Sequence, residues 1–161
     1  MNNRSAVGRK GAGDILRRIV DLVSHRSGSV FAVMNASSVT LPQVLLISRV
    51  EQLRSASLSD LSEGLKVSGP AVSQMIERLV KQGLLRRSED PADRRRKAIV
   101  VTPRARTLLR KLEATRSADY ERGLASVSPE LRTQLVALLT QIIGAIERAQ
   151  ALDRTGRPPP A

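Results

Sequence analysis

Asp90-Pro91-Ala92-Asp93-Arg94-Arg95-Arg96-Lys97 stands between two short apolar runs, Leu84-Leu85 and Ala98-Ile99-Val100-Val101. Proline presets φ and aspartate hydrogen-bonds its own backbone, so the stretch is a turn. The runs beside it have strand length, and residues 84–88 and 97–102 read as a β-hairpin with a cation-loaded tip. Upstream, residues 58–82 read as two helices joined by a tight turn. Ser59 is expected to cap a short helix over 60–65, with Leu61 and Leu65 four apart on one face, and Lys66-Val67 makes the turn. Ser68 is expected to cap a longer helix, with Pro70 in the first turn, where its missing N–H costs nothing. Val72, Met75, Ile76, Leu79 and Val80 form an apolar stripe of helical period. Gly69, Ser73, Gln74, Glu77, Arg78 and Lys81 take the opposite face, and Gly83 ends the helix.

Two helices followed by a basic hairpin are the layout of a winged helix-turn-helix, a device for holding duplex DNA. The expected fold is mainly α with a small β wing over residues 40–102. Further out, Thr40-Leu41-Pro42-Gln43 is a capping-box arrangement that opens a helix. Val44, Leu45, Leu46, Ile47 and Val50 make that helix apolar nearly all round, hence buried, and residues 55–57 close it. Thr102 caps a helix with Pro103 at its first position, whose buried face is Ala105, Leu108, Leu109 and Leu112. After a break at residues 123–127, Ser128-Pro129 opens the last helix, striped by Leu131, Leu135, Leu138, Ile142 and Ile146. Near the start, Asp14 is an N-cap for a helix carrying Ile15, Ile19, Leu22 and Val23, weakened at Gly28 and continued by Val30, Phe31, Val33 and Met34.

Segments 14–35 and 103–152 thus flank the central unit with apolar stripes that lack an obvious intrachain partner. They can pair with each other and with a second copy, which would match a two-fold operator, or they can simply cover the central core of a monomer. Residues 1–13 read as a disordered basic arm and 153–161 as a disordered tail with three consecutive prolines.

Composition narrows the function. A net charge of +12, from 27 basic and 15 acidic residues, favours a polyanionic partner, because each neutralised phosphate releases a counterion. Phe31 and Tyr120 are the only aromatic residues, which argues against modules that stack unpaired bases on rings. With no cysteine and a lone His25, disulfides, thiol redox chemistry and Cys-ligated zinc are excluded, and neither a metal nor a cofactor is expected. No Ser, His and carboxylate arrangement suits nucleophilic catalysis and no glycine loop cradles phosphate, so an enzyme is not expected. No apolar run approaches the ~20 residues of a membrane span, and the basic N-terminus lacks the pattern of a signal peptide. The expected place of work is the cytoplasm, on the nucleoid.

Residues 40–152 resemble the MarR family of bacterial transcriptional regulators. The resemblance rests on Thr40-Leu41-Pro42-Gln43, Leu58-Ser59-Asp60-Leu61, Val67-Ser68-Gly69-Pro70-Ala71-Val72-Ser73, residues 79–87 and Asp90-Pro91-Ala92-Asp93-Arg94-Arg95. It implies an obligate homodimer built on the first and last helices, a recognition helix over 68–82 in each major groove, and a wing at each adjacent minor groove. Pro70, Ala71, Ser73 and Gln74 then fall where family members meet base edges. Gln74 has a chemical reason to be there, since its amide can pair with adenine N7 and N6. Ser68 and Ser73 suit phosphates, Arg78 and Lys81 are phosphate clamps or ordinary surface charges, and Arg86, Arg87, Arg96 and Lys97 add strand-phosphate contacts nearby. The wing motif matches Asp93-Arg94-Arg95, with Asp93 holding an inserted arginine. Gly69 departs from the pattern, since many relatives carry a longer, often basic side chain there. The resemblance further implies release by a small-molecule effector, for which His25 and Arg26 are candidate anion contacts. The leading reading is a repressor at a palindromic operator on double-stranded DNA. The alternative is a nonspecific architectural nucleoid protein.

Overall fold

The computed structural model describes residues 11–24, 29–54, 56–89 and 97–155, with only the backbone at 89, 97 and 153–155. The elements run α1 (Ala12–Ser24), α2 (Ser29–Ala36), α3 (Leu41–Leu53), α4 (Leu58–Leu65), α5 (Gly69–Lys81), β1 (Leu85–Glu89), β2 (Lys97–Val101), α6 (Pro103–Gly123) and α7 (Pro129–Thr155). Contacts divide the chain into two units, His25–Asp119 and Met1–Ser24 with Tyr120–Ala161. The mainly helical fold with a two-stranded wing is as expected from the sequence.

In the central unit α3 is the hub. Its Leu46, Ile47 and Val50 are fully buried and join Leu61, Val72, Ile76, Leu79, Leu85, Ile99, Val101, Ala105, Leu108 and Leu112 in one aliphatic cluster. Burying each large side chain contributes roughly 1.5–3 kcal/mol, so the stripe of α5 contributes several kcal/mol to its position. The expectation that α3 is buried all round is corrected, because Leu41 and Leu45 are each 52% exposed. The Thr40 backbone N–H donates to Gln43 Oε1 at 2.9 Å, which draws the buried Gln43 back over the helix start.

The short helix α4 begins at Leu58, two residues earlier than Ser59 suggested. Ser57 lies three residues before Asp60, and the pair closes a box. The Asp60 backbone N–H donates to Ser57 Oγ at 3.2 Å, and the Ser57 N–H donates to Asp60 Oδ2 at 2.9 Å. At the other end Lys66 takes the left-handed conformation, φ 53°, and α5 follows after two residues. Helix α5 ends in a left-handed Gly83, φ 69°, with Gly83 N–H donating to the Val80 carbonyl and Leu84 N–H to the Leu79 carbonyl, each at 2.9 Å. That double bond satisfies two orphan carbonyls and buries Leu84 against the core. It also commits the Leu84 N–H, so β1 starts at Leu85 rather than Leu84.

The strands pair antiparallel, from Leu85 opposite Val101 to Glu89 opposite Lys97. Ala56 adds a bridge to Ile99, with N–H to carbonyl distances of 2.9 and 3.2 Å in the two directions, so the segment between α3 and α4 grips the base of the wing. Thr102 Oγ1 donates to the Gly83 carbonyl at 2.8 Å and accepts the Ala105 N–H at 3.3 Å, joining the wing's two ends while capping α6.

The N-terminal segment carries α1 and α2, and Gly28, where the helix was expected to weaken, lies outside the described residues. Ser29 opens α2 with its side chain committed elsewhere: Ser29 Oγ lies 2.6 and 2.8 Å from the two carboxylate oxygens of Asp119, itself buried. In the other unit, α1 starts at Ala12, where the Gly11 carbonyl accepts the first helical bond. Asp14 sits inside the first turn, not at the cap, where it still complements the helix dipole. Helix α7 opens as expected at Ser128, whose carbonyl accepts the Arg132 N–H at 3.0 Å. Its first-turn Glu130 has a lowered pKa because backbone N–H and the Ser128 hydroxyl both donate to the carboxylate. Helix α7 runs to Thr155, past the expected start of the tail, and Arg132 pairs with Glu121 at the end of α6. The expectation that no segment approaches a membrane span is corrected: by length and composition Pro129–Leu152 is apolar enough, and that segment is unburied.

Candidate nucleic-acid interface

Every residue that would meet DNA on α5 is fixed by what the opposite face buries. Val72, Ile76 and Leu79 are sealed in the core, with Met75 and Val80 partly buried against it. Helical geometry then turns Pro70, Gln74, Glu77, Arg78 and Lys81 outward, all of them exposed. Ala71 and Ser73 are half-buried at the margin.

Ser68 holds the N-cap position, but its side chain makes no capping hydrogen bond; only its carbonyl starts the ladder, accepting the Val72 N–H at 3.0 Å. The expected cap is therefore corrected. An exposed hydroxyl at the positive end of a helix remains available to an anion.

Grooves flank the helix on both sides. One, about 360 Å³, is walled by Gln43, Gln74, Met75, Glu77, Arg78 and Lys81. A second, about 300 Å³, lies between Glu77, Val80, Lys81 and the wing's Arg87. A smaller one of about 170 Å³ joins Ser73 and Ile76 to Leu58, Arg87 and Ile99. Of the expected site residues, Gln74 and Arg78 thus share one groove, and Ser73 lines another beside the wing. Asp93, Arg94 and Arg95 lie outside the described residues, as do His25 and Arg26. Lys97 is described by its backbone, paired with Glu89 at the wing's outer end. Lys81 and Arg87, expected near phosphates, line these grooves, whereas Glu77 was not among the expected contacts. Among the described residues, no group of three His, Asp or Glu could hold a metal ion.

A helix with a buried rear stripe, an outward row of amide and guanidinium groups, and a β-hairpin beside it define a winged helix-turn-helix fold. The MarR family model matches residues 39–97, which span α3 to the wing. The chain is 25% identical over 112 residues to the HTH-type transcriptional regulator YfiV of Bacillus subtilis, covering 70% of each. The transcriptional regulator Tm0710 of Thermotoga maritima superposes with a TM-score of 0.73 at 24% identity, over 86% of this chain and 96% of that one. A variant of S. aureus MepR, solved bound to an oligodeoxyribonucleotide, gives 0.61 at 19% identity over 85% and 99%. Over residues 39–97 the chain is similar to the MarR family, and it shares the fold of these two solved regulators.

Proposed function

We propose that the protein is a homodimeric repressor of a palindromic operator, each recognition helix α5 reading one half-site. The observation that carries this reading is the exposed row Gln74, Arg78 and Lys81, lining one groove on the outward face of a helix whose rear is locked into the core. Gln74 has an amide fit for adenine, while Ser68, Pro70, Ala71 and Ser73 crowd the helix start that enters a major groove first. Arg78 and Lys97 serve phosphates, and Asp93 orients Arg94 or Arg95 of the wing turn toward the minor groove.

Dimerisation is supported by the apolar faces of the terminal unit. Ile15, Leu16, Ile19 and Leu22 of α1 are 37–67% exposed, and Leu131, Leu138, Ile142 and Ile146 of α7 are 44–58% exposed. A chain with net charge +12 gains by covering such rows with a second copy, which also doubles the DNA contacts. A small-molecule effector would act by favouring a dimer whose recognition helices no longer match the half-site spacing. A repressor works on DNA in the cytoplasm, and the reading assigns the protein no chemical step.

The test is selection of bound fragments from genomic DNA with purified protein, paired with light scattering of the free protein. A palindromic consensus with half-sites about 34 Å apart, bound at least ~10³-fold tighter than random DNA by a dimer, is the expected result. Sequence-indifferent, strongly salt-dependent binding would instead make it an architectural nucleoid protein.

A further inference from the structure

Glu77 is the acidic residue on the outward face of α5, and it stands where a carboxylate is least expected. It lines the groove that holds Gln74, Arg78 and Lys81 and also the groove that holds Lys81 and Arg87. It is exposed, yet no ion pair joins it to Arg78, Lys81 or Arg87 among the described residues. A Glu followed four residues later by Lys ordinarily pairs along the helix. Here the cations stay free for phosphate and the carboxylate stays free as an acceptor.

We propose that Glu77 is a second base-reading residue and that it selects cytosine. An ionised carboxylate only accepts hydrogen bonds, and it repels phosphate. In the major groove the N4 amino group of cytosine is a donor that a Glu or Asp recognises, whereas guanine and the thymine oxygen offer only acceptors to it. Three residues of α-helix advance about 4.5 Å, against 3.4 Å per base pair, and positions i and i+3 share a face. Glu77 therefore meets the duplex one or two base pairs from the adenine that Gln74 reads. The carboxylate also penalises any docking in which α5 rests on the backbone, so it raises the cost of nonspecific binding while the surrounding cations supply the attraction.

This inference rests on α5 being the recognition helix of the proposed repressor. The experiment is selection from a randomised duplex library with the wild-type protein, Glu77→Gln and Glu77→Ala. Circular dichroism of each variant checks folding, which an exposed, unpaired residue should not disturb. Wild type is expected to select C·G one or two base pairs from the position that Gln74→Ala relaxes. Glu77→Ala should lose preference at that base pair alone, by about tenfold, and Glu77→Gln should admit adenine there, since an amide both donates and accepts. A wild-type consensus with no C·G pair in that window overturns the inference, and so does a consensus unchanged in both variants, whether or not overall affinity rises. A wild-type protein that yields no consensus at all fails the proposed function instead.

Discussion

A β-carbon placed on Gly123 would lie 2.6 Å from both Cα and Cβ of Val23. The end of α6 and the end of α1 therefore touch backbone to backbone, and Val23 is the buried residue of α1. Gly123→Ala must push the two helices apart, and overpacking of this kind costs roughly 1–3 kcal/mol. Gly13→Ala is the contrast, because nothing lies within 4 Å of its added methyl and α1 would gain up to about 1 kcal/mol of helix propensity. Thermal unfolding should show the first variant melting lower than wild type and the second no lower. Equal melting of all three would mean that α1 does not pack on Gly123.

The buried carboxylate of Asp119 receives the Ser29 hydroxyl at both of its oxygens, across 90 residues of sequence. Asp119→Ala removes a charge-assisted bond at the start of α2 and is expected to cost about 1.5–3 kcal/mol. Hydrogen exchange should report it locally. Amides of α2 should lose protection more than those of α4, whose capping box is independent. Uniform loss across the unit would show that Asp119 supports the whole core rather than the start of α2.

These two contacts mark where sequence reading stopped. Val72, Ile76 and Leu79 were legible as the buried rear of α5 because a 3.6-residue period is written locally, and so were Gly83 and Thr102, which act on neighbours in the chain. The Ala56–Ile99 bridge, the Ser29–Asp119 contact and the Gly123–Val23 approach join residues far apart, and no local pattern carries them. Ser57 was passed over for Ser59 because both precede a helical run; the acid three residues on decides between them. Leu45 was assigned to the core by apolar content alone, which cannot tell a core face from an exposed one. Of the candidate DNA contacts, Gln74 and Arg78 were legible as outward residues once the stripe was drawn. The wing motif Asp93-Arg94-Arg95 is known from sequence only.

Gln74 and Arg78 share a groove but should fail differently. With Gln74 reading a base as proposed, Gln74→Ala should reduce the ratio of operator to random DNA affinity by about 1–3 kcal/mol. With Arg78 on a phosphate as proposed, Arg78→Ala should lower both affinities together and flatten the salt slope by about one unit. Binding isotherms for both duplexes at several salt concentrations separate the two. A Gln74→Ala variant that loses operator and random DNA equally would remove it from base readout.

Gly69 opens α5, and a β-carbon there would meet nothing closer than Ser62 Oγ at 3.8 Å, an ordinary van der Waals contact. The position is half-exposed and begins a helix whose N-terminal end should face the duplex. A long basic side chain can therefore be added without strain, as φ at Gly69 is not in the left-handed range. Gly69→Lys should raise affinity for operator and random DNA alike and steepen the salt slope by about one unit. Glycine at the start of a helix is also poorer in propensity than lysine, so stability should hold or rise slightly. Salt-dependent titrations against wild type decide the matter. An unchanged slope would place the start of α5 away from the phosphates and would count against its insertion in the major groove.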